Sequence, residues 1–288
     1  MPSAFSFTEQ ILSCDLCGSR RLSVVSAEAK VVECLACEYR FVSPRPSQSE
    51  IASSYSEPNF YDGWIEADTG RSRMWLKRLA LLNAAGSKVR LLDIGAGIGT
   101  FLSFARDRRG WEVTGAEVST SAIKIARQRY GLALLTGRVE DLHLPTGSYD
   151  LITLWHVLEH VPYPGQTLDV CHQLLTSNGL LAIAVPNDDD ARSWLVRAKA
   201  RLSGVGAPPR YTMPRPHEEV HLSQFKSRVL AKALQSRRYS VELTTIDDSY
   251  AQPNWRSENI VRAYRLIHSL TGLNFGQAIF VLARKQPY

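Results

Sequence analysis

The chain has 288 residues, 44% hydrophobic and 22% charged, the composition of a globular protein with room for one large domain and a small one. A net charge of +6 is compatible with an anionic partner but falls far short of a nucleic-acid-binding signature, and no apolar run approaches the length of a membrane span. The first residues show no basic stretch followed by an apolar run, so no signal peptide is expected and the sequence reads as cytoplasmic.

Four of the five cysteines fall in two pairs, Cys14-Asp-Leu-Cys17 and Cys34-Leu-Ala-Cys37, in the pattern C-x2-C-x16-C-x2-C. Each pair can present two thiolates from one tight turn, and the spacing suits a tetrahedral zinc site. Four thiolates leave no open position, so such a zinc is structural. Disulfides or unconnected thiols are the alternative, disfavoured without a secretion signal. The segments R-L-S-V-V-S and A-K-V-V-E read as short strands of a zinc ribbon over residues 1–45, and Cys171 as a buried core thiol.

Pro44 and Pro46 then break regular structure. Ser47 and Glu50 have the S-x-x-E spacing of a capping box. Tyr55, Phe60, Tyr61 and Trp64 read as packing residues or as a cap over a ligand, and residues 71–85 as an amphipathic helix. Residues 46–87 are thus a helical connector, and residues 88–288 the main domain.

That domain opens on Val89–Gly99, an apolar strand followed by Asp93 and by Gly95, Gly97 and Gly99, with a helix-like segment behind. Glycines let a chain turn tightly and let a ligand lie against the backbone. The spacing is G-x-G-x-G, not the dinucleotide G-x-G-x-x-G. A carboxylate at Asp93 repels a pyrophosphate but can bond an ammonium or a hydroxyl. A cationic sulfonium ligand with an amino-acid end fits better. Strand and helix patterns then alternate: strands at 111–117, 132–136, 149–155 and 180–187, with helices between, the second capped by Ser119 or Ser121. This rhythm demands a parallel sheet with right-handed crossovers. Residues 188–220 interrupt it as an inserted cap. A helix near 223–235, a strand at 239–246, a helix near 258–270 and a last strand complete the domain.

Asp93 to Gly99, Glu117 after the second strand, and Glu140-Asp141-Leu142 resemble the class I S-adenosylmethionine-dependent methyltransferases. The resemblance implies an α/β fold with a Rossmann-like seven-stranded sheet. It places Gly95, Ala96, Gly97 and Gly99 beside the methionine end of the cofactor and Glu117, with Val118, at the ribose. Asp141 would accept from the adenine amine, the Leu142 backbone would touch the ring, and Trp155 would complete the wall.

Trp155 to His160, W-H-V-L-E-H, follows the fourth strand, between cofactor and acceptor in this superfamily. His160 is the favoured general base, with His156 and Glu159 as further catalytic candidates. His156, Glu159 and His160 also form H-x-x-E-H, similar to the E-x-x-E-H of metal-dependent O-methyltransferases acting on ubiquinone precursors and small-RNA ends. His156 in place of the first acid disfavours magnesium and leaves a softer second divalent ion, with His156 and His160 on one helical face and a fourth ligand from His217 or His221. The string His217-Glu218-Glu219-Val220-His221 matches a zinc-protease motif. Pro214 and Pro216 before it and a helix cap expected at Ser223 argue instead for a turn that contacts the acceptor or gates the site.

The two cysteine pairs, F-V-S-P-R-P-S and Tyr55-x5-Tyr61 together resemble zinc-ribbon methyltransferases of bacterial sugar, polysaccharide and natural-product pathways. The expectation is methyl transfer to a hydroxyl of a small molecule or glycan. Arg192, Arg197, Lys199, Arg201, Arg210 and Arg215 of the insertion would hold an anionic acceptor or meet an anionic membrane surface. Methylation of ribosomal or transfer RNA through the ribbon is the alternative, and a non-enzymatic cofactor-binding scaffold a third reading.

Overall fold

The computed structural model describes residues 5–57, 61, 65, 68–204, 211, 219–247 and 255–287. The ribbon contributes β1 (Leu22–Ser26), β2 (Val31–Cys34) and β3 (Arg40–Val42), an antiparallel set. The connector contributes α1 (Gln48–Tyr55), where Ser47 and Glu50 form the expected capping box. Helix α2 (Asp68–Leu81) follows and ends in a 3-10 turn at Asn83–Ala85, where an unbroken helix was expected.

The main sheet then builds from β4 (Arg90–Ile94), α3 (Thr100–Arg109), β5 (Glu112–Glu117), α4 (Thr120–Tyr130), β6 (Leu135–Thr136), β7 (Tyr149–Trp155), α5 (Pro164–Leu174) and β8 (Leu175–Pro186). After α6 (Ala191–Ser203) come β9 (Ser223–Gln224), α7 (Ser227–Gln235), β10 (Tyr239–Ile246), α8 (Trp255–Thr271) and β11 (Ala278–Lys285). The seven strands lie in the order β10-β11-β8-β7-β4-β5-β6. Six run in the same direction; β11, between β8 and β10, runs antiparallel to both. This is the expected α/β seven-stranded sheet. The third parallel strand is shorter than expected: only Leu135 and Thr136 pair, because Leu132 and Leu134 turn into the core before the ladder begins.

Period-two alternation assigns the two faces. Leu92, Ile152, Leu181, Ile183 and Ile279 pack on one side with α5 and α7. Leu91, Leu151, Leu180, Ala182 and Phe280 pack on the other with α2 and α3. Cys171 is buried in the first of these clusters, as expected of a core thiol.

Ser223 does not cap a helix. It lies in β9, which pairs with ribbon strand β3 through Arg40↔Gln224 and Phe41↔Ser223; the helix starts at Ser227 with Lys226 as its N-cap residue. Edge-strand hydrogen bonding by β3 captures the segment, a pairing between residues 182 and 184 apart in sequence that has no local signal. Cys14, Leu16, Cys34, Tyr39 and Phe41 of the ribbon share one core with the main sheet.

Candidate cofactor cavity and acceptor site

A cavity opens over the carboxyl ends of β4, β5 and β7, where the chain order reverses across the sheet, the position at which open α/β sheets bind ligands. Gly95 and Gly97 line it, both with positive φ. A Cβ at Gly95 would come 2.4 Å from Val157, so only glycine fits. Gly99, with φ 79°, caps α3 from behind the cavity, and its Cβ would strike Leu132. Ala96 also lies behind the lining. Asp93 is 2% exposed, with Oδ1 accepting from the Thr153 hydroxyl at 2.5 Å. Burial pushes its carboxyl up to about 7, against that hydrogen bond, so Asp93 braces the turn from beneath.

Glu117 and Val118 line the cavity from β5. Glu117 Oε2 accepts from Gly97 N–H at 2.7 Å, and Oε1 accepts from Val118 and Ser119 N–H at 2.8 Å each. Burial raises its pKa, while these three amides favour the carboxylate. A fixed carboxylate with free lone pairs at a cavity wall suits a vicinal diol. The adenine side departs from the expectation. Asp141 points to solvent, 67% exposed, and Leu142 is also off the cavity; Gly137, Arg138, Val139 and Glu140 line it instead. Arg138 Nη1 donates to Gln48 Oε1 of α1 at 2.5 Å. The turn after β6 thus presents its earlier residues. The repeated acids Glu140 and Asp141 made the register ambiguous from sequence.

At the other end, Trp155, His156 and His160 line the same cavity, with Tyr55 of α1 across from them and Glu159 buried just behind. His156 to His160 do not form a helical turn. His156 has φ 56°, and its ring lies between two carboxylates: Nδ1 is 3.3 Å from Glu159 and Nε2 is 3.3 Å from Asp247. Asp247 is itself paired with Arg78, whose guanidinium packs over Trp75 and Trp155 at 4.7 and 4.9 Å. Burial alone would lower the His156 pKa, but the two carboxylates hold it up at about 9. A ring whose two nitrogens both face carboxylates offers no lone pair to a metal, so His156 stands apart from the ligand set.

His160 is arranged differently. Its Nδ1 lies 2.8 Å from the Val220 carbonyl and 3.0 Å from the Tyr55 hydroxyl, which itself accepts from Val220 N–H. The carbonyl fixes the Nδ1–H tautomer and leaves Nε2 as an acceptor. Burial lowers the pKa against the pull of Glu159, favouring the neutral ring. His221 packs edge-on against it at 4.8 Å between centroids. The donor atoms of Glu159, His160 and His221 all lie within 4.8 Å of one another. Glu159 is 1% exposed; its Oε1 lies 3.3 Å from His156 Nδ1 and 3.8 Å from His160 Nε2, and among the described residues Oε2 has no hydrogen-bond partner, so the carboxylate has capacity left for a cation. The donor set therefore fits a divalent ion. His217, Glu218, Arg210 and Arg215 lie outside the described residues. None of the described residues of α6 lines the cavity.

In the ribbon, Cys14 Sγ lies 3.5 Å from Cys37 and Cys17 Sγ 3.6 Å from Cys34. Those separations rule out disulfides and come near the ~3.8 Å edge of a tetrahedron with Zn–S bonds of about 2.3 Å. All four sulfurs fall within 4.8 Å of one another, so they fit zinc.

A parallel sheet with a glycine turn, a buried acid at the end of the second strand and a cavity over the strand ends defines a class I S-adenosylmethionine-dependent methyltransferase. A methyltransferase-domain family model matches residues 66–244, and the chain belongs to that family. It is 31% identical over 142 residues to a ubiquinone biosynthesis O-methyltransferase of Psychrobacter cryohalolentis, covering 46% of this chain and 51% of that one. It is 29% identical over 205 residues to the enzyme of that name from Paracidovorax citrulli, covering 66% and 81%. The chain thus spans about half the length of the first of these relatives. Among solved structures, the fold is similar to a Burkholderia thailandensis 1,6-didemethyltoxoflavin-N1-methyltransferase bound to S-adenosylhomocysteine (TM-score 0.55, 17% identity, 93% of this chain and 100% of that one). It is also similar to a Synechocystis magnesium protoporphyrin IX methyltransferase (TM-score 0.55, 14% identity, 83% and 100%).

Proposed function

We propose that the chain transfers the methyl group of S-adenosylmethionine to a hydroxyl of a small molecule, with a divalent cation held by Glu159, His160 and His221 and a structural zinc held by Cys14, Cys17, Cys34 and Cys37. The observation that carries this reading is the cluster of Glu159, His160 and His221 donor atoms within 4.8 Å of one another, with Glu159 Oε2 lacking a hydrogen-bond partner and His160 lining the cavity that Glu117 also lines. Glu117 would bind the ribose diol and Gly95–Gly97 the methionine end. The turn at Gly137–Glu140 would flank the adenine. The cation would supply Lewis acidity that makes an acceptor hydroxyl easier to deprotonate. Sulfonium methyl transfer needs in-line positioning above all, and Tyr55, His156 and Trp155 shape the space for the acceptor. The relatives' names support an O-directed, small-molecule reaction, and a sugar or other natural product remains within it.

A second reading, with His160 as general base and no metal, is favoured by its fixed tautomer and neutral ring. Glu159→Gln separates the two. In the metal reading it weakens Mn(II) binding and lowers turnover by about a hundredfold, within the range for losing one ligand or its support. Turnover kept near normal in Glu159→Gln and lost in His160→Ala would instead select the base reading.

A further inference from the structure

Helix α1 precedes the main sheet in sequence, yet one face of it roofs the cavity. Gln48, Ile51, Ala52 and Tyr55 line the space at the i, i+3, i+4, i+7 spacing of a single helical face. The helix is tied at both ends of the cavity. Gln48 Oε1 accepts from Arg138 Nη1 at 2.5 Å, at the turn after β6. The Tyr55 carbonyl accepts from the Ser119 hydroxyl at 2.7 Å, and Ser119 N–H is one of the three amides that hold the Glu117 carboxylate. The Tyr55 hydroxyl accepts from Val220 N–H at 2.9 Å and lies 3.0 Å from His160 Nδ1. Ile51 is 7% exposed and packs with Val220 and Leu222 and with ribbon residues Val31 and Val42, which keeps the helix seated.

Tyr55 thus touches both halves of the site, with its backbone toward Glu117 and its hydroxyl toward the histidines. That hydroxyl and the two backbone groups of Val220 close around one ring nitrogen: the Val220 carbonyl lies 2.8 Å from His160 Nδ1, and its N–H reaches the hydroxyl. His221 follows directly, so fixing Val220 also fixes the separation of the His160 and His221 rings, 4.8 Å between centroids. Val220 is fully buried, and removing the hydroxyl would strand its N–H away from water, at a cost above the net worth of the hydrogen bond. Burial pushes the Tyr55 pKa above the ordinary tyrosine value, so the hydroxyl keeps its proton and acts as a neutral hydrogen-bonding group, not as a base.

We infer that Tyr55 is a positioning residue that sets the geometry of His160, Val220 and His221 and makes that geometry depend on the bound cofactor. The inference rests on the reading of the site proposed above, with Glu117 at the ribose and a cation at Glu159, His160 and His221. A cofactor in the cavity meets the face of α1 and the Glu117–Ser119 turn together, so it favours the state in which the helix is seated. The seated helix is the one whose Tyr55 hydroxyl reaches Val220 and His160. Cofactor binding therefore orders the acceptor end, and by linkage a cation at that end tightens the cofactor by the same factor.

Mn(II) titrations followed by electron paramagnetic resonance, with and without S-adenosylhomocysteine, measure the coupling. In the parent chain S-adenosylhomocysteine should tighten Mn(II) about tenfold. Tyr55→Phe keeps the ring and the carbonyl and loses only the hydroxyl. It should weaken Mn(II) about tenfold, as for loss of a group that supports a ligand, and cut the effect of S-adenosylhomocysteine to less than about twofold. Ser119→Ala acts at the other end of the link: Mn(II) affinity without S-adenosylhomocysteine should stay near that of the parent, while most of the tightening is lost. A second measurement needs no added metal. In protein holding zinc but no other divalent ion, S-adenosylhomocysteine should slow water exchange of the His160 Nδ1 proton, followed by NMR, about tenfold in the parent and less than about twofold in Tyr55→Phe. That response in a chain that takes up no Mn(II) beside its zinc would uphold the positioning role and overturn the cation reading. Mn(II) binding that S-adenosylhomocysteine leaves unchanged in the parent, or tightens equally in Tyr55→Phe, would overturn the positioning role and leave the cation reading standing.

Discussion

Two buried acids show how much a single side chain is constrained around this cavity. Asp93 has a folded pKa near 7 against an ordinary 3.8, because burial disfavours its charge more than the Thr153 hydroxyl favours it. Between those values the folded state holds a proton that the unfolded state has lost. Stability therefore falls as pH rises from about 4 to 7, and the cost stays constant above that. Asp93→Asn should accordingly stabilise the cofactor-free protein by up to a few kcal/mol at pH 8 and by much less at pH 5. Thermal melts at the two pH values check it, and a gain that is equal at both would refute the assignment. Asp247 is the opposite case. Burial would raise its pKa, but Arg78 and His156 hold it well below the usual carboxylate range. Asp247→Asn strands the Arg78 guanidinium between Trp75 and Trp155 and should cost about 3–5 kcal/mol, whereas Arg78→Met/Asp247→Leu should recover most of that. Chemical denaturation of the three proteins gives the comparison.

At the scale of elements, the Glu159–His221 end of the site is held in part from outside the main domain. The backbone carbonyl of Glu159 accepts from Leu222 N–H at 2.8 Å and from Ser223 N–H at 3.0 Å, just beyond His221. Ser223 is in turn held by ribbon residue Tyr39, whose hydroxyl lies 2.5 Å from Ser223 Oγ, and by the β3–β9 ladder. Arg45, on the connector side of the ribbon, bonds the Pro162 carbonyl. Tyr39→Phe should therefore lower turnover by several-fold, through misplacement of His221, with S-adenosylmethionine affinity unchanged, because Glu117 and the glycine turn are not touched. Isothermal calorimetry and steady-state rates separate the two effects. The sequence shows why one half of this site was readable and the other was not. Strand, glycine turn and helix are local patterns, so β4, the turn at Gly95 and Gly97 and the strand ending at Glu117 could be placed from periodicity and spacing, whereas the role expected of Glu117 came from the resemblance. His156 looked like a metal ligand because its partners Asp247 and Arg78 are 91 and 78 residues away. Ser223 looked like a helix cap because nothing nearby announces a ribbon strand as its neighbour.

For the molecule as a whole, the question is whether the ribbon folds as an appended module or as part of one unit. Ribbon residues Leu16, Tyr39 and Phe41 sit in the same buried cluster as Ile152, Leu154 and Phe225, and Tyr39 stacks at 5.2 Å on Phe41 and lies 5.6 Å from Phe225. Asp15, in the first cysteine turn, accepts from Gly165 N–H at the start of α5, and Arg237 bonds the carbonyls of Leu16 and Asp15 at 3.2 and 3.4 Å. A tethered module would have none of these, since inter-domain linkers are crossed by few contacts. Metal ligation folds small cysteine-rich elements, so losing the ion should release not only β1–β3 but also the core side chains they cover. Cys34→Ser, or zinc withdrawn by chelation, should consequently shift the main unfolding transition instead of abolishing a separate small one. A loss of about 3 kcal/mol would lower the melting temperature of a chain this size by roughly 5 °C. Scanning calorimetry of the zinc-loaded chain should show one endotherm. Two endotherms, with the larger unmoved in Cys34→Ser, would mean that the main sheet stands without its ribbon.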